Sequence, residues 1–207
     1  MLQVVHGRIY SLATPWAQHL EGSYFPQSVL CQPAQPQQKL WYLDNGASAL
    51  ILSAHCNSWV VRWVLREKGI ALAGPPPHTL LSPIPPDALR QEMVQVIQEW
   101  GAEILAQPER FNNHFYQTFI VLSYCRMWHD VYNGYPGSKR AGAAWAKRQL
   151  DSVWGGLIDR AWNGRPRPEF AVRRPADPAD FAATLQLVEA IMAQTYGAEW
   201  REGRELA

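Results

Sequence analysis

The sequence predicts a mostly α (α+β) protein, an antiparallel helical bundle preceded by a smaller mixed region. Three observations carry this. After Pro86 the apolar residues recur at helical spacing almost to the C-terminus. Before it the apolar runs are short and punctuated by turn residues. Between the two lies GPPPHTLLSPIPP, residues 74–86, with six prolines. Proline removes a backbone donor and restricts the residue before it, so this stretch reads as an irregular connector. The expected organisation is therefore 1–86 as an α+β region and 87–207 as a helical bundle.

In order along the chain, residues 19–25 (HLEGSYF) fit a strand, and 31–39 (CQPAQPQQK) an exposed loop. LWYLDNG ends in a turn, and ALILSAH is a short strand. Asn57 fits the N-cap of a helix through Lys68 stopped by Gly69, with Val60, Val61, Val64 and Leu65 at helical spacing. Asp87 is the expected cap of a helix whose apolar side carries Leu89, Met93, Val96, Ile97, Trp100 and Ile104. A second helix begins near Pro108 or Asn113 and runs through Tyr132. It is apolar nearly all round, which places it in the middle of the bundle. NGYPG ends it, and Ser138 caps SKRAGAAWAKRQL. Asp151 caps a further helix with Val153, Trp154, Leu157 and Ile158 inward. A basic, proline-rich loop spans 163–176, and a last amphipathic helix spans 178–195.

Composition excludes several functions. The 207 residues are 47% apolar and 18% charged, which argues against disorder. A net charge of +1 provides no strong field for nucleic acid or an anionic membrane. No apolar run approaches the ~18 residues of a membrane span, and MLQVVHGRIY lacks the pattern of a signal peptide. Cys31, Cys56 and Cys125 have no metal or redox spacing and fit reduced thiols in a cytoplasmic protein. The ten tryptophans imply large aromatic packing or flat faces for ligand rings.

On the central helix, Arg126 needs a partner or a cavity, because a bare buried guanidinium is costly. Trp128 lies towards the helix end, where a ring lines either a cleft mouth or the core; His129 and Asp130 follow it. Lys139 and Arg140 stand directly after the Ser138 cap, and a helix N-terminus with adjacent cations suits phosphate. The loop cations Arg165, Arg167, Arg173 and Arg174 read as a solvated surface, since proline rather than stacking aromatics separates them. There is no Walker-type loop and no H-E-x-x-H. Glu21 and Asp44 are the only carboxylates before Glu67.

Four stretches together resemble the aminoglycoside adenylyltransferases of the streptomycin/spectinomycin type and their bacterial nucleotidyltransferase relatives. They are LEGSYFP at 20–26, WVVRWVLREKGIALAGPPPHTLLSPIPPDALR at 59–90, YQTFIVLSYCRMWHDVYNGYPGSKRAGAAWA at 116–146 and WGGLIDRAW at 154–162. The resemblance implies that the first region is a remnant of a nucleotidyltransferase α/β sheet and that the bundle helps bind ATP and substrate. It implies AMP transfer from ATP to a hydroxyl of a small substrate, an aminoglycoside in the antibiotic-resistance branch. The cofactors are then ATP and Mg²⁺. By position Glu21 resembles the general base, Trp128 a substrate-contacting ring, Arg126 a substrate-side or cleft-wall residue, and Lys139 a nucleotide contact.

The chain departs from the family in having no Gly-Ser followed by an Asp-x-Asp pair. The expectation is a truncated member, inactive alone, that does not hold ATP–Mg²⁺ tightly and has no metal ligand of its own. The alternative is a non-catalytic ligand-binding subunit that completes a separate nucleotidyltransferase chain. A third reading is a homodimer formed through an exposed sheet edge.

Overall fold

The computed structural model describes residues 1–12, 14–32, 38–165 and 174–196. They form two compact units, Met1–Pro85 and Pro86–Ala207.

The first unit opens with helix α1 (Leu2–Tyr10), short helix α2 (Pro15–Gln18), strand β1 (Gly22–Tyr24) and short helix α3 (Gln27–Leu30). Strands β2 (Leu40–Leu43) and β3 (Leu50–Ser53) and helix α4 (Trp59–Lys68) follow. The three strands make an antiparallel sheet in the order β1-β2-β3, with Ser23 opposite Tyr42 and Tyr42 opposite Ile51. β2 is central, and it buries Leu40, Tyr42 and Leu43. The turn after β2 closes through Ala47 N donating to Asp44 O, with Gly46 at φ 80, where a glycine avoids strain. α1, for which the sequence carries no capping side chain, reaches the sheet twice. His6 is hydrogen-bonded to Tyr24 of β1. Gln3 brackets the start of β3, accepting from Leu50 N and donating to Ser48 O.

α4 begins one residue later than expected. Ser58, not Asn57, is its N-cap, and Ser58 Oγ accepts from Val61 N. Asn57 is buried instead and accepts from Arg62 through Oδ1. The buried side chain of α4 is Arg62, at 2% exposure, while Val64 faces outward. The Arg62 guanidinium donates to the carbonyls of Val29, Leu30 and Gln32 around the end of α3 and packs over Phe25. The loop expected over 31–39 falls in part, at 33–37, outside the described residues.

The second unit contains α5 (Pro86–Ala106), α6 (His114–Asn133), α7 (Lys139–Gln149), α8 (Gly155–Asn163) and α9 (Pro178–Thr195). α6 packs against each of the other four. Thirteen of its residues are buried, which matches its apolar circumference. Its ends are chemically marked: Asn113 caps the start through Tyr116 N, and Gly134 ends it in the left-handed region at φ 72. Ser138 caps α7 through Ala141 N, and Asp177 caps α9 through Ala179 N and Asp180 N.

Two expected details are corrected. α5 begins at Pro86, so Asp87 lies in its first turn, where it pairs with Arg90 rather than capping. Asp151 caps a 3₁₀ turn, Ser152–Trp154, that precedes α8. A 3₁₀ turn advances about 120° per residue rather than about 100°, which breaks the phase assumed for one continuous helix. Val153 consequently points outward at 71% exposure, while Leu157 and Ile158 are buried. Among the described residues no helix is long and apolar enough to cross a membrane.

Candidate functional site

α6 presents one stripe that changes character along its length. Phe115, Phe119, Leu122, Arg126 and Asp130 are spaced three or four apart and so share a face. Phe115 and Phe119 stack, with ring centroids 5.4 Å apart. Together with Thr118, Leu122, Lys139 and Arg165 they line a cavity of about 130 Å³. The apolar end of the stripe is thus its floor, and two cations form its wall.

α7 reaches this stripe because at Gly142 its backbone lies directly on the backbone of α6. A Cβ placed at Gly142 would lie 2.5 Å from Arg126 Cα. No larger residue fits that contact, and the absence of one brings the first turn of α7 beside the stripe. Gly137, before the Ser138 cap, is equally tight: a Cβ there would lie 2.7 Å from His129 Cε1.

Lys139 opens α7, and its Nζ sits 3.7 Å from the centre of the Phe119 ring, a cation–π contact. Among the described residues it has no recorded carboxylate partner. Burial pushes its ammonium down from the usual 10.5 to about 8, and the like charges of Arg126 and Arg165 push the same way. Two cations therefore line a small cavity floored largely by aromatic rings, and the charge of Arg126 adds to the positive potential at Lys139. Such a place favours an arriving anion, which would lower their mutual repulsion. Arg165, read from sequence as solvated surface, is exposed but lines this cavity, with its guanidinium over Trp162. Arg174 is exposed, and Arg167 and Arg173 lie outside the described residues.

Trp128 is buried at 8% exposure. Its ring meets Trp145 of α7 edge to face, with centroids 4.6 Å apart, and so belongs to the packing between the two helices. Of its two sequence readings, cleft mouth and core, the geometry matches the core.

Glu21 belongs to the first unit. It is exposed just before β1, and Oε1 accepts from the hydroxyl of Tyr42 at 2.8 Å. The same hydroxyl lies 3.0 Å from Asp44 Oδ1, and its one hydrogen serves one carboxylate at a time. Tyr42 is 4% exposed, and burial followed by these two acidic partners raises its pKa strongly. Cys56 lies in the same neighbourhood. Burial raises its thiol pKa, a hydrogen bond with Ser23 opposes this, and the charges of Glu21 and Asp44 add to the rise. The thiol is thereby kept protonated and inert.

The sequence-selected residues thus fall into two groups: Arg126, Trp128 and Lys139 in the helical unit, and Glu21 in the other. Sequence reasoning did not find the cavity floor, nor Gly142, whose signal is the small-residue run A-G-A-A after the cap.

The second unit is a cation-lined helical bundle with a central apolar helix. Residues 79–171 match the family model described as aminoglycoside adenylyltransferase, C-terminal domain. This stretch contains Arg126, Trp128, Ser138 and Lys139, and its match is to the family that the sequence resembles. Glu21 lies outside it. A comparison with curated proteins finds no match.

Proposed function

We propose that the helical unit binds the polyphosphate of a nucleotide, ATP in the family's chemistry, with Lys139, Arg126 and Arg165 as its cationic contacts. The observation that carries this is the placement of Lys139: a desolvated ammonium on an aromatic ring, within the field of the Arg126 and Arg165 charges, without a carboxylate partner among the described residues. An anion bound there replaces repulsion by attraction in a setting drier than bulk water. The helix dipole at the start of α7 adds to the pull. Glu21 of the first unit is, by the family resemblance alone, a candidate proton acceptor for a substrate hydroxyl, and Trp128 of the helical unit, a candidate substrate-side residue by the same resemblance, fixes α6 against α7.

Among the described residues no group of three or more His, Cys, Asp or Glu could hold a metal ion. Glu21 and Asp44 are two carboxylates converging on one phenol. The described donor set does not fit a divalent ion, and no step is assigned to one. The proposal is nucleotide binding, with adenylyl transfer as the activity of the family.

Titration of the full chain with ATP, followed by tryptophan fluorescence or calorimetry, tests it. Lys139→Met and Arg126→Gln should each weaken ATP by about tenfold or more, the scale of one charge-assisted contact. AMP, with less charge, should bind more weakly than ATP. No binding of ATP at millimolar concentration, or a Lys139→Met affinity equal to that of the parent, would remove the reading.

The pH dependence has a definite sign. Phosphate needs the charged ammonium, so affinity should be greatest below pH 8 and fall as pH rises through about 8. Stability should run the other way. The folded-state pKa is below the ordinary 10.5, so between about 8 and 10.5 the unfolded chain holds more protons, and the Lys139 contribution to stability rises with pH. Both trends should vanish in Lys139→Met, the first measured by ATP titration and the second by urea unfolding.

A further inference from the structure

The stripe of α6 that floors the cavity ends in a buried carboxylate. Asp130, at 2% exposure, stands one turn beyond Arg126. Its Oδ1 accepts from Gly137 N at 2.7 Å, and His129 Nδ1 lies 2.9 Å from the same oxygen, donating in the tautomer that carries its proton there. Among the described residues neither its Oδ2 nor Arg126 Nε has a hydrogen-bond partner, and the two atoms are 3.9 Å apart.

Two oppositely charged groups with buried, unsatisfied atoms facing each other need an explanation. A carboxylate this deep is tolerated where opposite charge and donors offset its desolvation. The turn supplies one donor through Gly137 N–H, and Arg126 supplies the opposite charge. The same carboxylate thereby touches the Arg126 side chain, whose charge is felt at Lys139, and the turn that leads into Ser138 and delivers Lys139 to the cavity wall. Arg126 keeps about a third of its side chain exposed, so the guanidinium is held along one edge only. The groups facing Asp130 are Arg126 and His129 on its own helix and the Gly137 N–H from the turn; Lys139 lies beyond Arg126 on α7.

We propose that Asp130 is the positioning residue of the anion site, holding the Nε edge of Arg126 inward through Oδ2 while Oδ1 anchors the turn that places Lys139. The inference rests on the nucleotide reading for the identity of the ligand, not for the Asp130–Arg126 coupling itself.

Asp130→Asn separates the two roles. The amide is nearly isosteric and keeps an acceptor for Gly137 N–H, but it removes the charge opposite Arg126. In the full chain, Asp130→Asn should weaken ATP by about tenfold. In an Arg126→Gln background the same change should alter ATP affinity less than about twofold, because a residue that acts through another has no effect once that other is gone. A merely structural role would give equal losses in both backgrounds, and that result overturns the proposal. A second measurement needs no ligand. The Arg126 Nε–H resonance, assigned by its loss in Arg126→Gln, should exchange slowly in the parent and broaden or exchange faster in Asp130→Asn. An unchanged resonance and exchange rate overturn the proposal even if ATP binds. A changed resonance in a chain that ignores ATP supports the positioning role and removes the nucleotide reading alone.

Discussion

Replacing Arg62 by alanine should cost the first unit about 3–5 kcal/mol, read as a lowered urea midpoint. The side chain is 2% exposed and donates to the Val29, Leu30 and Gln32 carbonyls and to Asn57 Oδ1. None of these recorded partners is a carboxylate, so the charge is balanced by carbonyl dipoles at the end of α3. Burial lowers its pKa, though not enough to release the proton of a guanidinium. Alanine would strip the guanidinium donors from buried Asn57 Oδ1 and from the half-buried end of α3, and open a cavity where a long side chain stood. Arg62→Lys should recover only part of the loss, because one ammonium cannot reach acceptors spread round the edges of a planar fork. A midpoint within error of the parent for Arg62→Ala would mean that the three carbonyls find other donors.

Trp128→Ala should destabilise the helical unit by a similar amount, about 3–5 kcal/mol, seen as a fall in the unfolding midpoint of that unit. The indole fills the space between α6 and α7 and meets Trp145 edge to face. His129 and Tyr132 also abut Trp145, so a void at Trp128 would loosen a shared aromatic cluster. Trp128→Phe should keep most of the stability. It also isolates any substrate role: affinity lost in Trp128→Phe at unchanged stability would place the ring against a ligand, whereas a stability loss alone assigns it to packing.

The helical unit was legible because its signals are local. Asn113, Gly134, Ser138 and Asp177 sit at the ends of their helices and cap them with their own atoms or backbone conformation. The apolar spacing of α5 and α6 needed no long-range information. Misreadings arose where a competing local choice existed. Asn57 and Ser58 are both good caps side by side, and the one three residues before an available N–H won. Val153 went astray because Asp151 opens a tighter turn first. Arg62 was invisible for a different reason: a charged residue in a helix reads as solvent-facing, and its partners lie about thirty positions away in sequence.

The candidate site was half legible. Lys139 announced itself by following a cap, and Arg126 by its charge on an apolar helix. Their proximity depends on Gly142, whose meaning emerges only when two helices touch through their backbones. The floor of Phe115, Phe119 and Leu122 reads as ordinary core until the cavity above it is seen. Glu21 entered through resemblance alone, and its shared phenol with Asp44 depends on the pairing of β1 with β2.

The amide of Gln3 gives β3 an unusual margin. Outward N–H groups recur every second residue along a strand. With Leu50 N–H already claimed by Gln3, the next outward rung of this short strand falls at Leu52. A foreign polypeptide aligning there would find a single foothold rather than a ladder, although Leu52 and its neighbour Trp41 are oily and uncovered. One glutamine thus works as a doorstop against runaway stacking of copies. Its loss should make the protein more prone to clump before it makes it unfold.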